Sequence, residues 1–155
     1  MLIEKKVAEL GWKIPPVYRF KSPAIVPFVR VGNLLFLAGM VGTDEEGKLK
    51  YVGKVDKECS VEDGYQSARL SILNHLASIK AAVGDLDKVE RVIKLVGYVN
   101  SSPGFRDQSK VVNGASDALI AIFGDKGKHV RASYGIYELS MNAPLETEIL
   151  VQVKD

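Results

Sequence analysis

Between Val61 and Val83, apolar side chains return every third or fourth position, at Val61, Tyr65, Ala68, Ile72, Leu76, Ile79 and Val83. That is the period of one helix face. Ser60 and Asp63 precede the run at capping-box spacing and Gly84 follows it, so the pattern predicts a helix from just after Ser60 to Gly84. Glu62, Gln66, Arg69, Asn74 and Lys80 fall on the other face, which is expected to meet water. A second run, Val112, Ala115, Leu119, Ile122 and Phe123, predicts a helix over 108–123 with Asp107 as its cap and Gly124 as its stop. Gly114 inside that helix costs about 1 kcal/mol relative to alanine, which points to a close backbone approach at this position. Leu2, Ile3, Val7 and Leu10 with Gly11 predict a short N-terminal helix.

The remaining apolar stretches read as strands. AIVPFVRV is a strand edged by Pro27, and Gly32-Asn33 turns into LLFLAGMVG, an apolar run that suits a strand buried on both faces. KLKYVGKV is a weaker strand after the DEEGK turn. VERVIKLVGYV, 89–99, is rich in β-branched residues and ends at Ser101-Ser102-Pro103-Gly104. Residues 129–139 and 145–153 are expected to close the chain as a hairpin around Asn142-Ala143-Pro144. Two strand-and-helix units followed by this hairpin predict an α+β domain, a mixed sheet covered on one face by two helices. The other face is too apolar to be left to water, which predicts self-association.

The length of 155 residues is enough for a single domain with a sizeable core. Cys59 is the lone cysteine, so neither an intramolecular disulfide nor a multi-thiolate metal site is available, and a reducing compartment is expected. No apolar run is long enough to cross a bilayer, and a cytoplasmic location is expected. The 21 basic and 19 acidic residues are mixed along the chain for a net charge of +2, which gives no strong electrostatic grip on nucleic acid. His75 and His129 do not suggest a metal pair, and no helix follows the glycines at 32, 39, 42 and 47 to make a phosphate loop. Trp12, Tyr18 and Phe20 are expected to pack over the core rather than rim a cleft.

Two charges interrupt the last strands. Period-two alternation places Arg131 on one face with Ser133 and Gly135, and Glu148 on one face with Glu146, Leu150 and Gln152. An arginine among small polar neighbours offers a fork that grips a carboxylate bidentately. In a hairpin turning at 140–144, Arg131 lies opposite Val153, about five residues and roughly 16 Å from Glu148. The two then stand either as separate surface or interface ions, or as halves of a site completed by a neighbouring subunit.

The ordered segments VGNLLFLAGMVG, VVNGASDAL and IFGDKGKHVRASYGIYELSMNAPLETEILVQV resemble the YjgF family of reactive-intermediate deaminases, also known as the endoribonuclease L-PSP family, over about Ala24 to Val153. The longer N-terminus, 1–20, and the VNGAS form resemble a divergent branch. The resemblance implies a chorismate-mutase-like fold, a homotrimer and sites in clefts between subunits. It implies that Arg131 holds a substrate carboxylate, that Glu148 positions a water and that the backbone of Gly39 lies against the ligand. Ser133 stands where many members have cysteine or threonine, and the family's asparagine falls at Ser116 or at Asn113. The family's tyrosine is replaced by Ile25, and its SGQ segment by the more apolar Ala38-Gly39-Met40.

The implied chemistry is hydrolysis of a 2-aminoacrylate-type enamine or imine to its 2-oxo acid and ammonia, without metal or organic cofactor. The implied partners are a small carboxylate-bearing substrate and further copies of the chain, while the short apolar runs and the mixed charge argue against a membrane or nucleic-acid partner. Two alternatives accompany it: a non-catalytic carboxylate-binding trimer, which the missing tyrosine favours, and a ribonuclease or translation inhibitor, which rests on the family's older names.

Overall fold

Ser60 and Asp63 do close a capping box: the Asp63 amide donates to Ser60 Oγ at 3.0 Å and the Ser60 amide to Asp63 Oδ2 at 2.9 Å. These bonds satisfy donors that the first helical turn leaves open. The helix they start runs Val61–Val83 and ends at Gly84, whose φ of 80° is left-handed. In the computed structural model, which describes residues 1–154, the elements are α1 (Leu2–Glu9), β1 (Phe28–Val31), β2 (Leu34–Leu37), β3 (Met40–Val41), α2 (Val61–Val83), β4 (Val89–Asn100), α3 (Gln108–Phe123), β5 (Val130–Ile136) and β6 (Leu145–Val153). Asp155 lies outside the described residues. The six-stranded mixed sheet has the order β1-β2-β6-β4-β5, with β3 also pairing β6.

Leu35, Leu95, Ile149 and Val151 of the sheet are buried in one cluster with Ile72, Leu76 and Ile79 of α2 and Val112, Ala115 and Leu119 of α3. Helix α2 is more enclosed than its sequence pattern suggests, since every residue from Ser71 to Ile79 is buried. Asn74, expected to face water, is among them. Its amide donates to the Val41 and Thr43 carbonyls at 3.3 Å and to Leu70 O at 3.1 Å, while Oδ1 accepts from Thr43 Oγ1 at 3.0 Å. A buried amide with this many partners pins the chain after β3 onto the helix.

The two main helices approach closely at glycines. A Cβ on Gly114 would stand 1.9 Å from the Tyr65 carbonyl oxygen of α2, and one on Gly64 would stand 2.8 Å from Val111. The close approach expected at Gly114 is therefore present.

The closing hairpin is not formed. β6 and β5 flank β4 on opposite sides, β6 antiparallel and β5 parallel to it. β4, α3 and β5 make a strand-helix-strand crossover, which brings its second strand back parallel beside the first. The chain from Tyr137 to Pro144 then passes the end of β4, where Asn100 donates to Asn142 Oδ1 at 3.0 Å and to Ala143 O at 3.1 Å.

Two other strands differ from expectation. LLFLAGMVG breaks at Ala38-Gly39 into β2 and β3, and its alternation is one-sided: Leu35 is fully buried while Phe36 is 47% exposed. KLKYVGKV makes only isolated bridges, Thr43 with Leu49 and Val55 with Cys59 and Ser101. A left-handed Gly53, φ 123°, interrupts it. Asp107 occupies the cap position of α3 without accepting a helix amide, and its carboxylate pairs with Lys110 at 3.0 Å instead. The Cys59 thiol is buried and lies 3.3 Å from the Val52 carbonyl, a structural role. Trp12 packs on the core as expected, beneath the Arg69 guanidinium at 5.2 Å.

His75 is fully buried in α2. Its Nε2 lies 3.0 Å from the Thr147 carbonyl, and Nδ1 has no partner among the described residues. A second proton would have no acceptor, and burial pushes the imidazole down from 6.5 to about 4. The unfolded chain therefore takes up this proton as pH falls through about 6.5, while the folded chain does so only near 4. The associated stability is intact above the unfolded value and is lost as pH falls through the folded one. Denaturant titrations at pH 7 and pH 4 are expected to differ by up to about 3 kcal/mol more in the wild type than in His75→Gln.

Gly114→Ala is expected to destabilise by about 2 kcal/mol, the cost of overpacking against backbone, although in an open helix the same change stabilises by about 1 kcal/mol. Urea unfolding of the variant checks the sign.

Candidate functional site

The parallel pairing of β5 with β4 decides where each side chain points. Leu95 of β4 is opposite Arg131, Val96 opposite Ala132, Gly97 opposite Ser133 and Tyr98 opposite Tyr134. Tyr98 and Tyr134 stack with centroids 6.1 Å apart on the uncovered face of the sheet. Arg131 and Ser133 therefore lie on the helix-covered face, at the edge of the sheet beside α3.

There the arginine is held by neutral groups. Nη1 donates to Asn113 Oδ1 at 2.7 Å and to Ser116 Oγ at 3.1 Å, and Nη2 reaches the Ser109 carbonyl at 3.5 Å. Asn113 and Ser116, alternatives in the sequence, both reach Arg131. Ser116 Oγ lies 3.0 Å from His129 Nε2, and His129 Nδ1 lies 2.6 Å from the Gly127 carbonyl. A neutral imidazole that donates from Nδ1 and accepts from the serine satisfies every member of this chain. The guanidinium stays exposed and makes no ion pair among the described residues. Along the strand, Ser133 Oγ is buried without a hydrogen-bond partner among the described residues.

Glu148 lies on the uncovered face, opposite Val96. It is exposed, in a shallow cavity of about 280 Å³ with Phe36, Lys94 and Leu150. Arg131 and Glu148 are thus two strand spacings apart, roughly 10 Å, and on opposite faces. They do not meet within one chain, but the cause is the intervening β4 rather than an offset along a hairpin.

Gly39, in the break between β2 and β3, borders a different cavity of about 220 Å³ with Tyr18, Phe20, Met40, Met141 and Glu146. A Cβ at position 39 would stand 2.8 Å from Glu146 Oε2, so the glycine leaves room for that carboxylate. Tyr18 and Phe20, expected over the core, instead line this cavity, packed edge to face with centroids 5.1 Å apart. Ile25, at the place of the resembled family's tyrosine, is 50% exposed.

Glu146 is the residue the sequence reading left without a role. The available signal was its period-two relation to Glu148, which puts two carboxylates side by side on one face. Burial and then Glu148 push the Glu146 carboxyl above the usual carboxylate range. Among the described residues no group of three His, Cys, Asp or Glu side chains is placed to hold a metal ion, and no helix is long and apolar enough to cross a membrane.

Comparison with known proteins agrees with this architecture. The Trypanosoma cruzi protein TCP17 is 35% identical over 156 residues, covering 99% of this chain and 95% of that one. The crystal structure of Atu1372 from Agrobacterium tumefaciens superposes with a TM-score of 0.92 at 38% identity, covering 99% of this chain and 93% of the other. The structure of E. coli TdcF, which holds a bound serine, shares the fold at a TM-score of 0.60 and 17% identity, over 92% of this chain and 94% of that one. The family model described as "YjgF/chorismate mutase-like, putative endoribonuclease" matches residues 5–152, and the chain belongs to that family.

Proposed function

We propose that this protein hydrolyses reactive enamine or imine intermediates of the 2-aminoacrylate type to 2-oxo acids and ammonia, in clefts between copies of the chain. The observation that carries this reading is the state of Arg131: oriented by Asn113 and Ser116, yet without a carboxylate of its own among the described residues. An exposed guanidinium fixed by neutral acceptors keeps its full charge for an incoming anion. The serine bound in TdcF is a small carboxylate-bearing ligand of the class this fork suits.

The opposite placement of Arg131 and Glu148 supports a site assembled from two subunits. The uncovered sheet face carries Val29, Val31, Phe36, Val130 and Tyr134, each about half exposed or more in the single chain. An apolar face of this kind is suited to burial against further copies, and we assign it to a homotrimer. In that assembly Arg131 holds the substrate carboxylate, Ser133 lines the recess beside it, and Gly39 presents backbone to the ligand. Glu148 of a neighbouring copy orients the attacking water. The imine carbon is already electrophilic, so positioning and hydrogen bonding are sufficient, and the chemistry calls for no metal or organic cofactor.

A second reading, binding of a small carboxylate without turnover, is favoured by Ile25, whose side chain offers no hydroxyl to a ligand. A ribonuclease is disfavoured because His75 is enclosed in the core and His129 is engaged with Ser116 and Gly127.

Ammonia release from freshly generated 2-aminoacrylate tests the main reading. The wild type is expected to accelerate it, and Arg131→Ala to lose at least about 100-fold in kcat/KM, as removal of a charge-assisted bidentate contact worth about 3 kcal/mol implies. Saturable 2-oxobutyrate binding without acceleration points to the second reading. Equal rates for both proteins overturn the arginine's role. Sedimentation is expected to give about three times the 16.9 kDa chain mass, falling toward the monomer in Phe36→Glu; a wild-type monomer contradicts the intersubunit site.

A further inference from the structure

A serine inside a helix commonly turns its hydroxyl back onto a carbonyl three or four residues earlier. On α2, Ser71 Oγ donates to the Ala68 carbonyl at 2.7 Å and Ser78 Oγ to the Asn74 carbonyl at 3.5 Å. Ser116 on α3 makes no such bond among the described residues. Its Oγ lies 3.0 Å from His129 Nε2 and accepts from Arg131 Nη1 at 3.1 Å.

The far side of the imidazole fixes which nitrogen carries the proton. His129 Nδ1 lies 2.6 Å from the Gly127 carbonyl, and a carbonyl only accepts, so Nδ1 donates and Nε2 of the neutral ring is a bare acceptor. That carbonyl is itself seated against α3: Gly127 is buried, and a Cβ there would stand 2.3 Å from the Leu119 carbonyl oxygen. The effect returns to the arginine through the serine. A hydroxyl has one proton and two lone pairs. With its proton drawn to Nε2, Ser116 keeps a lone pair aimed at the guanidinium. Without that acceptor the hydroxyl is free to turn back toward the Val112 carbonyl, as the α2 serines turn.

We propose that His129 is a positioning residue for the anion site at Arg131, holding the guanidinium through Ser116 in the orientation that receives a carboxylate. The assignment rests on the reading above in which Arg131 takes the substrate carboxylate. His129 touches neither that carboxylate nor the reacting atoms. Arg131 is exposed, and a long side chain without fixed acceptors spreads over many rotamers, so each fixed acceptor lowers the ordering cost that a ligand meets. Asn113 supplies one such acceptor at 2.7 Å and Ser116 the other. Loss of His129 therefore weakens the grip on the carboxylate and leaves the chemical step alone.

The test separates the two ring nitrogens. His129→Asn keeps a donor for Gly127 but does not reach Ser116, whereas His129→Gln reaches Ser116 with its amide oxygen. Calorimetric titration with 2-oxobutyrate is expected to show about 10-fold weaker binding for the asparagine variant and binding within about threefold of the wild type for the glutamine variant. In deamination of 2-aminoacrylate the same split is expected in KM, with kcat held within about twofold. Ser116→Ala is expected to weaken binding by about 10-fold, and adding His129→Asn to it to weaken it no further, because the histidine acts through the serine. His129→Phe takes the place of the asparagine variant if that one does not fold. Wild-type affinity in the asparagine variant, or additive losses in the double variant, overturns this inference and leaves Arg131 its role. Binding of 2-oxobutyrate by the wild type without turnover overturns the deaminase reading alone, and the affinities then decide the role of His129. No saturable binding by the wild type overturns the reading of Arg131 and this assignment with it.

Discussion

The contact between Gly114 and the Tyr65 carbonyl sets the geometry of the molecule, because a Cβ at 114 would stand 1.9 Å from that oxygen and the two helices could not lie as they do. Gly114 sits on α3 between Asn113 and Ser116, the residues that hold Arg131. The helix that this glycine seats against α2 is thus the same one that carries the partners of Arg131. A small shift of α3 would lengthen both hydrogen bonds and release the guanidinium into one of its many other rotamers. Core packing and site geometry are in this respect one constraint.

The sheet imposes the second constraint. One face is covered by α2 and α3, and the other carries apolar residues alternating with Glu146, Glu148 and Lys94. Arg131 emerges on the covered side at the open edge of β5, and the two glutamates on the uncovered side. No rotamer change brings these charges together within one chain. In the proposed assembly, a second copy laid against the apolar face and reaching the β5 edge offers a ligand both kinds of group at once. In the proposed function, assembly is thus a condition of chemistry.

Much of this was legible in the sequence, for identifiable reasons. Helix α2 announced itself through Ser60, Asp63 and Gly84, because caps act locally. Arg131 stood out as a charge in a strand, and Gly114 as a helix breaker that had to have a packing reason. The pairing of β5 was hidden, since the period-two pattern gives the faces of a strand but not its neighbour, and a hairpin and a crossover leave the same alternation. The burial of Asn74 is not legible in the sequence, because a polar residue at helical spacing resembles a solvent-facing one and only the carbonyls of Val41 and Thr43 reveal its burial. The grouping of Tyr18, Phe20 and Glu146 is not legible either, because a cavity built from residues more than a hundred positions apart leaves no local signature.

The most direct measurement is a crystal structure of the assembled protein soaked with 2-oxobutyrate. The account predicts that the carboxylate lies within hydrogen-bond distance of the Arg131 guanidinium, with Glu148 of an adjacent copy facing the keto carbon. A ligand bound elsewhere, or an assembly in which Arg131 faces open solvent far from any second subunit, would contradict it.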